Sequence, residues 1–127
     1  ILVIDDEEVV RVTAVNMIKE LNYHVETAAT SQKAFEKFIH AQEINEPFDV
    51  AIIDSNIPGS LSGREIVRKL LIMDPNLKAI ISSGSFDSPV MTHFRDYGFK
   101  ARMPKPYDCH TLYDILTRLM TGDEPAK

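Results

Sequence analysis

Short apolar runs alternate with longer stretches of helical spacing along the whole chain. The runs are too short and too rich in β-branched residues for helices, so they predict strands buried in a sheet. They cover residues 1–4, 25–29, 50–53, 79–81 and 99–103. The last run contains Lys100 and Arg102, which favours an edge position in the sheet.

The stretches that follow the runs predict five amphipathic helices, each with one apolar face. The residues expected to face inward are Val10, Ala14, Met17, Ile18 and Leu21, then Ala34, Phe35, Phe38 and Ile39, then Ile66, Val67, Leu70 and Leu71, then Val90, Met91, Phe94 and Tyr97, and finally Leu112, Ile115, Leu116, Leu119 and Met120. Thr30 or Ser31 is expected to cap the second helix and Pro75 to stop the third. The fourth is expected over 88–98, and the fifth to end at Gly122.

Five strand-then-helix units in about 120 residues imply right-handed crossovers and a parallel sheet covered on both faces. The sequence therefore predicts one doubly wound α/β domain. No linker, repeat or low-complexity segment divides the chain. We expect the domain to span residues 1–121 and residues 122–127 to form a frayed tail.

Composition narrows the class of protein. The 127 residues are 44% hydrophobic and 26% charged, as in soluble domains, and no apolar run approaches the roughly 20 residues of a membrane span. A net charge of −5 argues against direct binding of nucleic acid. The single cysteine, Cys109, excludes an internal disulfide and fits the cytoplasm. Because Ile1 is already inside an apolar run, we expect a domain from a longer protein, which could itself be membrane-attached.

Polar side chains follow four of the predicted strands. Asp5 and Asp6 follow the first, Asp54 the third, the serines at 82–83 the fourth, and Lys105 the fifth. The carboxyl ends of parallel strands share one edge, where ligands bind in open α/β sheets. The sequence therefore predicts three carboxylates, a hydroxyl and an ammonium around one crevice.

Three crowded carboxylates need a cation or a proton among them. Mg²⁺ with a phosphoryl group suits this set, because Mg²⁺ takes a few carboxylate oxygens together with waters and phosphate oxygens. A carboxylate can also be the nucleophile in phosphoryl transfer. Asp54, alone at the end of a central strand, is the natural acceptor, which leaves Asp5 and Asp6 to the metal.

The chain resembles the receiver domain of two-component response regulators from residue 1 to about 121. The matching segments are ILVIDDEE at the start, DVAIID ending at Asp54, SNIPGSLSG after it, SSG at 82–84 and MPKPY at 103–107. Each segment is short, and their order and spacing together make the resemblance specific.

The resemblance implies a flavodoxin-like fold with strand order 2-1-3-4-5 and five helices. It assigns six site residues: Asp54 as phosphoacceptor, Asp5 and Asp6 as the acidic metal pair, the backbone carbonyl of Asn56 as a further Mg²⁺ ligand, Ser83 as the switch hydroxyl, and Lys105 as the phosphate-binding lysine. It also implies a cis Lys105–Pro106 bond that aims the lysine inward.

The implied phosphoryl donor is a phosphohistidine of a histidine kinase or a histidine phosphotransfer domain. The implied partner surface is the fourth helix, fifth strand and fifth helix, about 88–120, through which activated domains can self-associate. The segments IPGSLSG and GFKARMPKPY look most like receivers of hybrid sensor histidine kinases. A stand-alone or transcription-factor regulator is the alternative. The domain itself would assist its own phosphotransfer, while the parent protein could be a kinase.

Three positions bear on signal transmission and on the lifetime of the phosphoryl group. Arg102 stands where many receivers have an aromatic residue that turns inward on activation, and a guanidinium is unsuited to an apolar slot. Transmission would then use the loop after the fourth strand, or pairing of Arg102 with an acidic partner. Asn56 and Ser85 occupy positions that tune phosphoryl lifetime in the family, and we predict neither a strong brake nor a strong accelerator.

The same residues are also compatible with less specific roles. Asp5 or Asp6 could cap a helix, Asp54 could be a turn residue, and Ser82 competes with Ser83. An aspartate-nucleophile phosphatase would place a second carboxylate two residues beyond the nucleophile, where this chain has Asn56. A degenerate receiver that binds partners without phosphorylation is a further alternative.

Overall fold

The computed structural model describes residues 1–55, 57, 59, 61–85 and 87–121 and shows the predicted parallel sheet. The strands run in the order β2-β1-β3-β4-β5, and every neighbouring pair is parallel. The strands are β1 Leu2–Ile4, β2 Glu26–Ala28, β3 Val50–Asp54, β4 Lys78–Ser83 and β5 Ala101–Pro104. The helices are α1 Glu8–Glu20, α2 Ser31–Glu43, α3 Gly63–Met73, α4 Pro89–Thr92 and α5 Cys109–Thr121. The predicted fold class and strand order are confirmed.

The central strand β3 shows how the sheet divides the core into two layers. Ala51 and Ile53 point into one cluster, which holds the buried faces of α2, α3 and α4. Val50 and Ile52 point to the opposite cluster with α1 and α5. Because both faces are covered, β3 is apolar throughout until Asp54, which is why it reads as a continuous run.

Helix starts follow from local side-chain chemistry. Thr30 caps α2, since its hydroxyl accepts a hydrogen bond from the Lys33 N–H at 3.2 Å. Ser62 and Glu65 form a capping box at the start of α3, directly after the loop that follows β3. The sequence Ser-Gly-Arg-Glu carries that signal and fixes where α3 begins.

The predicted fourth helix is wrong in extent. α4 has only four residues and is followed by a 3₁₀ turn, Phe94–Tyr97, which ends at Gly98 with φ of 99°. Met91, Phe94 and Tyr97 are spaced three apart, so the apolar pattern fits a 3₁₀ turn as well as an α-helix. The pattern located the inward-facing side chains but left the type of helix open.

Two side chains predicted to face inward are exposed instead. Ile39 is 45% exposed and Met120 is 37% exposed. Each follows a buried residue, Phe38 or Leu119, and the roughly 100° turn per residue carries it past the edge of the apolar stripe. The predicted end of α5 at Gly122 and the tail 122–127 lie outside the described residues. Among the residues described, no helix has the length and apolar character of a membrane span.

The close approach of α3 to the end of β3 makes a specific demand on Gly63. A Cβ built there would lie 2.8 Å from the Asp54 carbonyl oxygen and 3.2 Å from the Ser55 Cα. Only glycine therefore lets the helix start this close to the strand end. The contact ties the position of Asp54 to that of α3.

We predict that Gly63→Ala lowers the free energy of unfolding by roughly 1–2 kcal/mol. Overpacking costs about 1–3 kcal/mol, and the helix-propensity gain of at most about 1 kcal/mol offsets part of it. Gly84→Ala is the matched control, because a Cβ there has nothing within 4 Å. Urea denaturation of both variants measures the effect, and equal stabilities would contradict it.

Candidate functional site

Three carboxylates meet at the carboxyl edge of the sheet. Ile4 pairs with Ile53 across the parallel strands β1 and β3, so Asp5 comes to lie beside Asp54. Asp5 is fully buried, Asp54 is nearly so, and Asp6 is exposed. Each of the three offers an oxygen, and these oxygens lie within 4.8 Å of one another. The predicted acidic cluster therefore exists.

Asp5 is held by the chain around it. Its Oδ1 accepts a hydrogen bond from the Glu7 N–H at 3.0 Å, and its backbone carbonyl accepts one from Arg11 Nη1 at 2.8 Å. The residue at the N-cap of α1 is Glu7, without a side-chain cap. A helix-capping role for Asp5 or Asp6 therefore does not explain the pair.

Lys105 reaches the cluster from the end of β5. Its Nζ lies 2.7 Å from Asp5 Oδ2, 3.4 Å from Asp54 Oδ1 and 3.8 Å from Glu7 Oε1, and the side chain is 14% exposed. Its backbone N–H donates to the Ser83 carbonyl at 3.0 Å. The Lys105–Pro106 bond is cis, as the resemblance implied.

The charge of Lys105 is favoured despite its burial. Burial alone would lower the pKa of the ammonium, but the hydrogen bond to Asp5 and the charges of Asp54 and Asp5 outweigh it, so the pKa of Lys105 is raised. Asp5, Asp6 and Asp54 set three carboxylates against this one ammonium, and Glu7 adds a fourth nearby, so the site has an excess of negative charge. A divalent cation would balance that excess.

The two candidate hydroxyls both lie within β4, not after it as expected. Ser82 pairs in register with Asp54, and Ser83 is the last residue of the strand. The Ser83 Oγ accepts a hydrogen bond from the Ser85 N–H at 3.0 Å, so it faces the loop after β4. Successive strand residues point to opposite faces, so the two hydroxyls have different surroundings.

The loop after Asp54 is anchored at both ends. The Ser55 N–H donates to the Ser82 carbonyl at 2.9 Å, and the Gly63 N–H donates to the Ser55 carbonyl at 3.2 Å. Asn56, expected to offer its backbone carbonyl to a metal, lies outside the described residues.

Two residues that contribute to the site were not predicted from the sequence. Glu7 adds a further carboxylate near Lys105, and the acidic run Asp5 to Glu8 carried that signal. Tyr107 brings a buried hydroxyl close to the site. Burial raises the pKa of Tyr107 to about 12, and the charge of Asp5 adds to the rise while the Ser82 hydroxyl opposes it. No sequence signal distinguishes this tyrosine from an ordinary core aromatic.

Arg102 is half-buried and packs on α4 and the turn after it. Its Nη1 donates to the Met91 carbonyl at 3.2 Å, and its guanidinium carbon lies 5.9 Å from the centre of the Phe94 ring. A guanidinium can lie over an aromatic face where it cannot enter an apolar slot. Arg102 thus links β5 to α4.

The residues present fit Mg²⁺. The cluster offers hard oxygen ligands on one side, exposed through Asp6, which leaves room for waters or phosphate oxygens. Within the described part of the chain this is the one group of acids, histidines or cysteines close enough to hold a metal. The chemistry that the arrangement supports is phosphoryl binding beside a carboxylate.

Comparisons with known proteins agree with this geometry. Sporulation initiation phosphotransferase F of Bacillus subtilis is 22% identical over 120 residues, which are 94% of this chain and 92% of that protein. A cyclic di-GMP phosphodiesterase of Thermotoga maritima is 24% identical over 112 residues, which are 88% of this chain and 28% of that protein. The crystal structure of a response regulator receiver domain protein from Clostridium thermocellum matches with a TM-score of 0.83 and 26% identity, over 95% of this chain and 93% of that one.

The family described as the response regulator receiver domain matches residues 1–117, nearly the whole of the sheet and its helices. The chain therefore belongs to the response regulator receiver domains of two-component signalling.

Proposed function

We propose that Asp54 accepts a phosphoryl group from a phosphohistidine, and that the domain then changes conformation. The observation that carries the proposal is the position of Asp54 at the end of β3, 3.4 Å from the Lys105 ammonium and beside Asp5 and Asp6. The donor would be a histidine kinase or a histidine phosphotransfer domain. The donor's class follows from the family.

In the proposed reaction, a carboxylate oxygen of Asp54 forms a bond to phosphorus while the P–N bond of the phosphohistidine breaks. The imidazole leaves with the electron pair and takes a proton from solvent. Lys105 and the Ser83 hydroxyl would hold oxygens of the transferred group by hydrogen bonds, the lysine bond being charge-assisted. Charge builds up on those oxygens, so placed donors stabilise the transition state.

Asp5, Asp6, Asp54 and the Asn56 carbonyl are the proposed ligands of Mg²⁺. When bound, the ion supplies positive charge that offsets the carboxylates and the phosphoryl oxygens. Asp5 is held in place by Glu7 and Lys105, so a ligand oxygen is oriented before the ion arrives.

We also propose that the output surface is formed by α4, β5 and α5. This proposal is supported by the hydrogen bond from Arg102 on β5 to the Met91 carbonyl on α4. Movement of the β4–α4 loop toward a phosphorylated Asp54 would change the geometry of that hydrogen bond. In this proposal a polar contact of Arg102 stands where many receivers have an aromatic switch. A hybrid sensor histidine kinase is the proposed parent protein, supported by the loop sequences around 57–63 and 98–107. A kinase core encoded upstream would support it, and a DNA-binding domain downstream would contradict it.

The identity of the acceptor can be tested at Asp54. With acetyl phosphate and Mg²⁺, the intact chain should gain the mass of one phosphoryl group, and Asp54→Asn should gain none. Mass spectrometry of the intact protein measures this. Continuous release of phosphate would favour the phosphatase, and an unmodified parent chain would favour a degenerate receiver.

The Mg²⁺ site can be tested at Asp6. Asp6→Asn should weaken Mg²⁺ binding by roughly tenfold or more, because it removes one charged oxygen ligand from the cluster. Asp49→Asn is the control, since Asp49 is an exposed acid at the opposite end of β3. Calorimetric titration compares them. Equal weakening in both variants would show that only net charge matters.

Self-association can be tested by phosphorylating the chain. Phosphorylation should shift the chain from monomer toward dimer through the α4, β5 and α5 surface. Analytical ultracentrifugation with and without acetyl phosphate measures the shift, and Asp54→Asn under both conditions is the control. A chain that carries the phosphoryl group and stays monomeric would exclude this role.

A further inference from the structure

Glu7 places a negative charge at the open side of the site, and the proposed reaction does not use it. Glu7 follows Asp5 and Asp6 in the chain, and its side chain is 63% exposed. Its Oε1 lies 3.8 Å from the Lys105 Nζ, and the Asp54 Oδ1 lies 3.4 Å from the same nitrogen. The two oxygens are therefore no farther apart than the sum of these distances, which is within the Debye length of about 10 Å at 0.1 M salt. A donor that approaches Asp54 enters the field of Glu7.

The backbone of Glu7 is held in place, but its carboxylate makes no capping hydrogen bond at the start of α1. The Glu7 N–H donates to Asp5 Oδ1 at 3.0 Å, and the Glu7 carbonyl accepts from the Arg11 N–H at 3.1 Å. Glu7 is the N-cap residue of α1, yet its side chain accepts no hydrogen bond from the first turn. Within the described residues the carboxylate pairs with Lys105. The charge of Glu7 can therefore be removed while the bonds that hold its backbone remain.

The charge of Glu7 opposes an incoming phosphoryl group in two ways. The Lys105 ammonium contacts both Asp5 and Glu7, so Glu7 competes with the phosphoryl oxygens for that ammonium. The carboxylate also repels the donor directly, and by Coulomb's law this repulsion grows in proportion to the negative charge of the donor. A repulsive charge at the entrance to a site separates ligands that differ in charge, and so contributes to specificity.

We propose that Glu7 is a specificity-determining residue of the phosphoacceptor site: its exposed carboxylate, 3.8 Å from the Lys105 ammonium, disfavours dianionic phosphoryl donors relative to monoanionic ones. The inference rests on the proposed function of Asp54, because it concerns which donors reach that residue. A phosphoryl group on a protonated nitrogen carries one negative charge fewer than a phosphoryl group on a carboxylate oxygen. The class of donor that Glu7 favours is therefore the one in which phosphorus is bound to nitrogen.

The test compares two small donors that differ in charge. Acetyl phosphate is a dianion at neutral pH, and its P–O bond breaks as Asp54 bonds to phosphorus, so that acetate leaves with the electron pair. Phosphoramidate is a monoanion with a protonated nitrogen, and its P–N bond breaks so that neutral ammonia leaves with the electron pair. Initial rates are measured by mass spectrometry of the intact chain for the parent, Glu7→Gln and Glu7→Asp. Mg²⁺ is kept saturating for each protein, so that a change in metal affinity does not alter the rates.

We expect Glu7→Gln to react roughly 4- to 10-fold faster than the parent with acetyl phosphate but only about 2- to 3-fold faster with phosphoramidate, since the repulsion is proportional to the donor's charge. Glu7→Asp keeps the charge, so its ratio of the two rates should stay near that of the parent. Raising the salt from 0.1 M to 1 M shortens the Debye length from about 10 Å to about 3 Å, so the difference between the donors should largely disappear. A change in the structure of the site would persist at high salt.

Glu20→Gln is the matched control, because Glu20 is an exposed glutamate at the other end of α1, roughly 20 Å from Glu7 at 1.5 Å per residue. Its rates should equal those of the parent, and the same acceleration in both variants would show that only net charge matters. Rates for Glu7→Gln that match the parent, or that rise equally with both donors, would also overturn the inference. In these results the proposed function stands, whereas a parent chain that takes up no phosphoryl group from either donor would overturn both.

Discussion

The ion pair between Lys105 and Asp5 is the interaction on which the site depends. Asp5 is fully buried, and a buried carboxylate without a partner is strongly destabilising. The Lys105 ammonium at 2.7 Å supplies that partner from the far edge of the sheet. Residues from β1, β3 and β5 are thereby drawn to one point. The register of the strands and the reach of a single lysine together determine whether the cluster exists.

The pair also leaves the cluster with an excess of negative charge. The carboxylates outnumber the single ammonium of Lys105, and Asp6 keeps one side of the cluster open to solvent. Full neutralisation would weaken the attraction of the site for a divalent ion, and full enclosure would keep out a phosphoryl donor. The arrangement instead combines an excess of negative charge with access from solvent. Metal-assisted phosphoryl binding requires both conditions.

Much of this could be predicted from the sequence because parallel topology converts order along the chain into position. Asp5, Asp54 and Lys105 each follow a predicted strand, and parallel strands end at a common edge, so their convergence needed only the fold class. Facts that depend on side-chain packing could not be predicted. Ile39 lies just past the buried stripe, and the spacing of Met91 and Phe94 fits either kind of helix. The contact of Arg102 with Phe94 depends on where that turn places the ring.

The two distances at Lys105 bear on how phosphorylation of Asp54 would move neighbouring parts of the chain. The ammonium lies closer to Asp5, at 2.7 Å, than to Asp54, at 3.4 Å. A phosphoryl group on Asp54 would add charge on the more distant side and compete for the same ammonium. The Lys105 N–H donates a hydrogen bond to the Ser83 carbonyl, so a shift of the Lys105 backbone would be passed to the end of β4. The loop after β4 leads into α4, where the Met91 carbonyl accepts a hydrogen bond from Arg102 on β5. The site and the surface formed by α4 and β5 are thus joined through hydrogen bonds on two neighbouring strands. A two-state change requires that these hydrogen bonds have different partners in the two states.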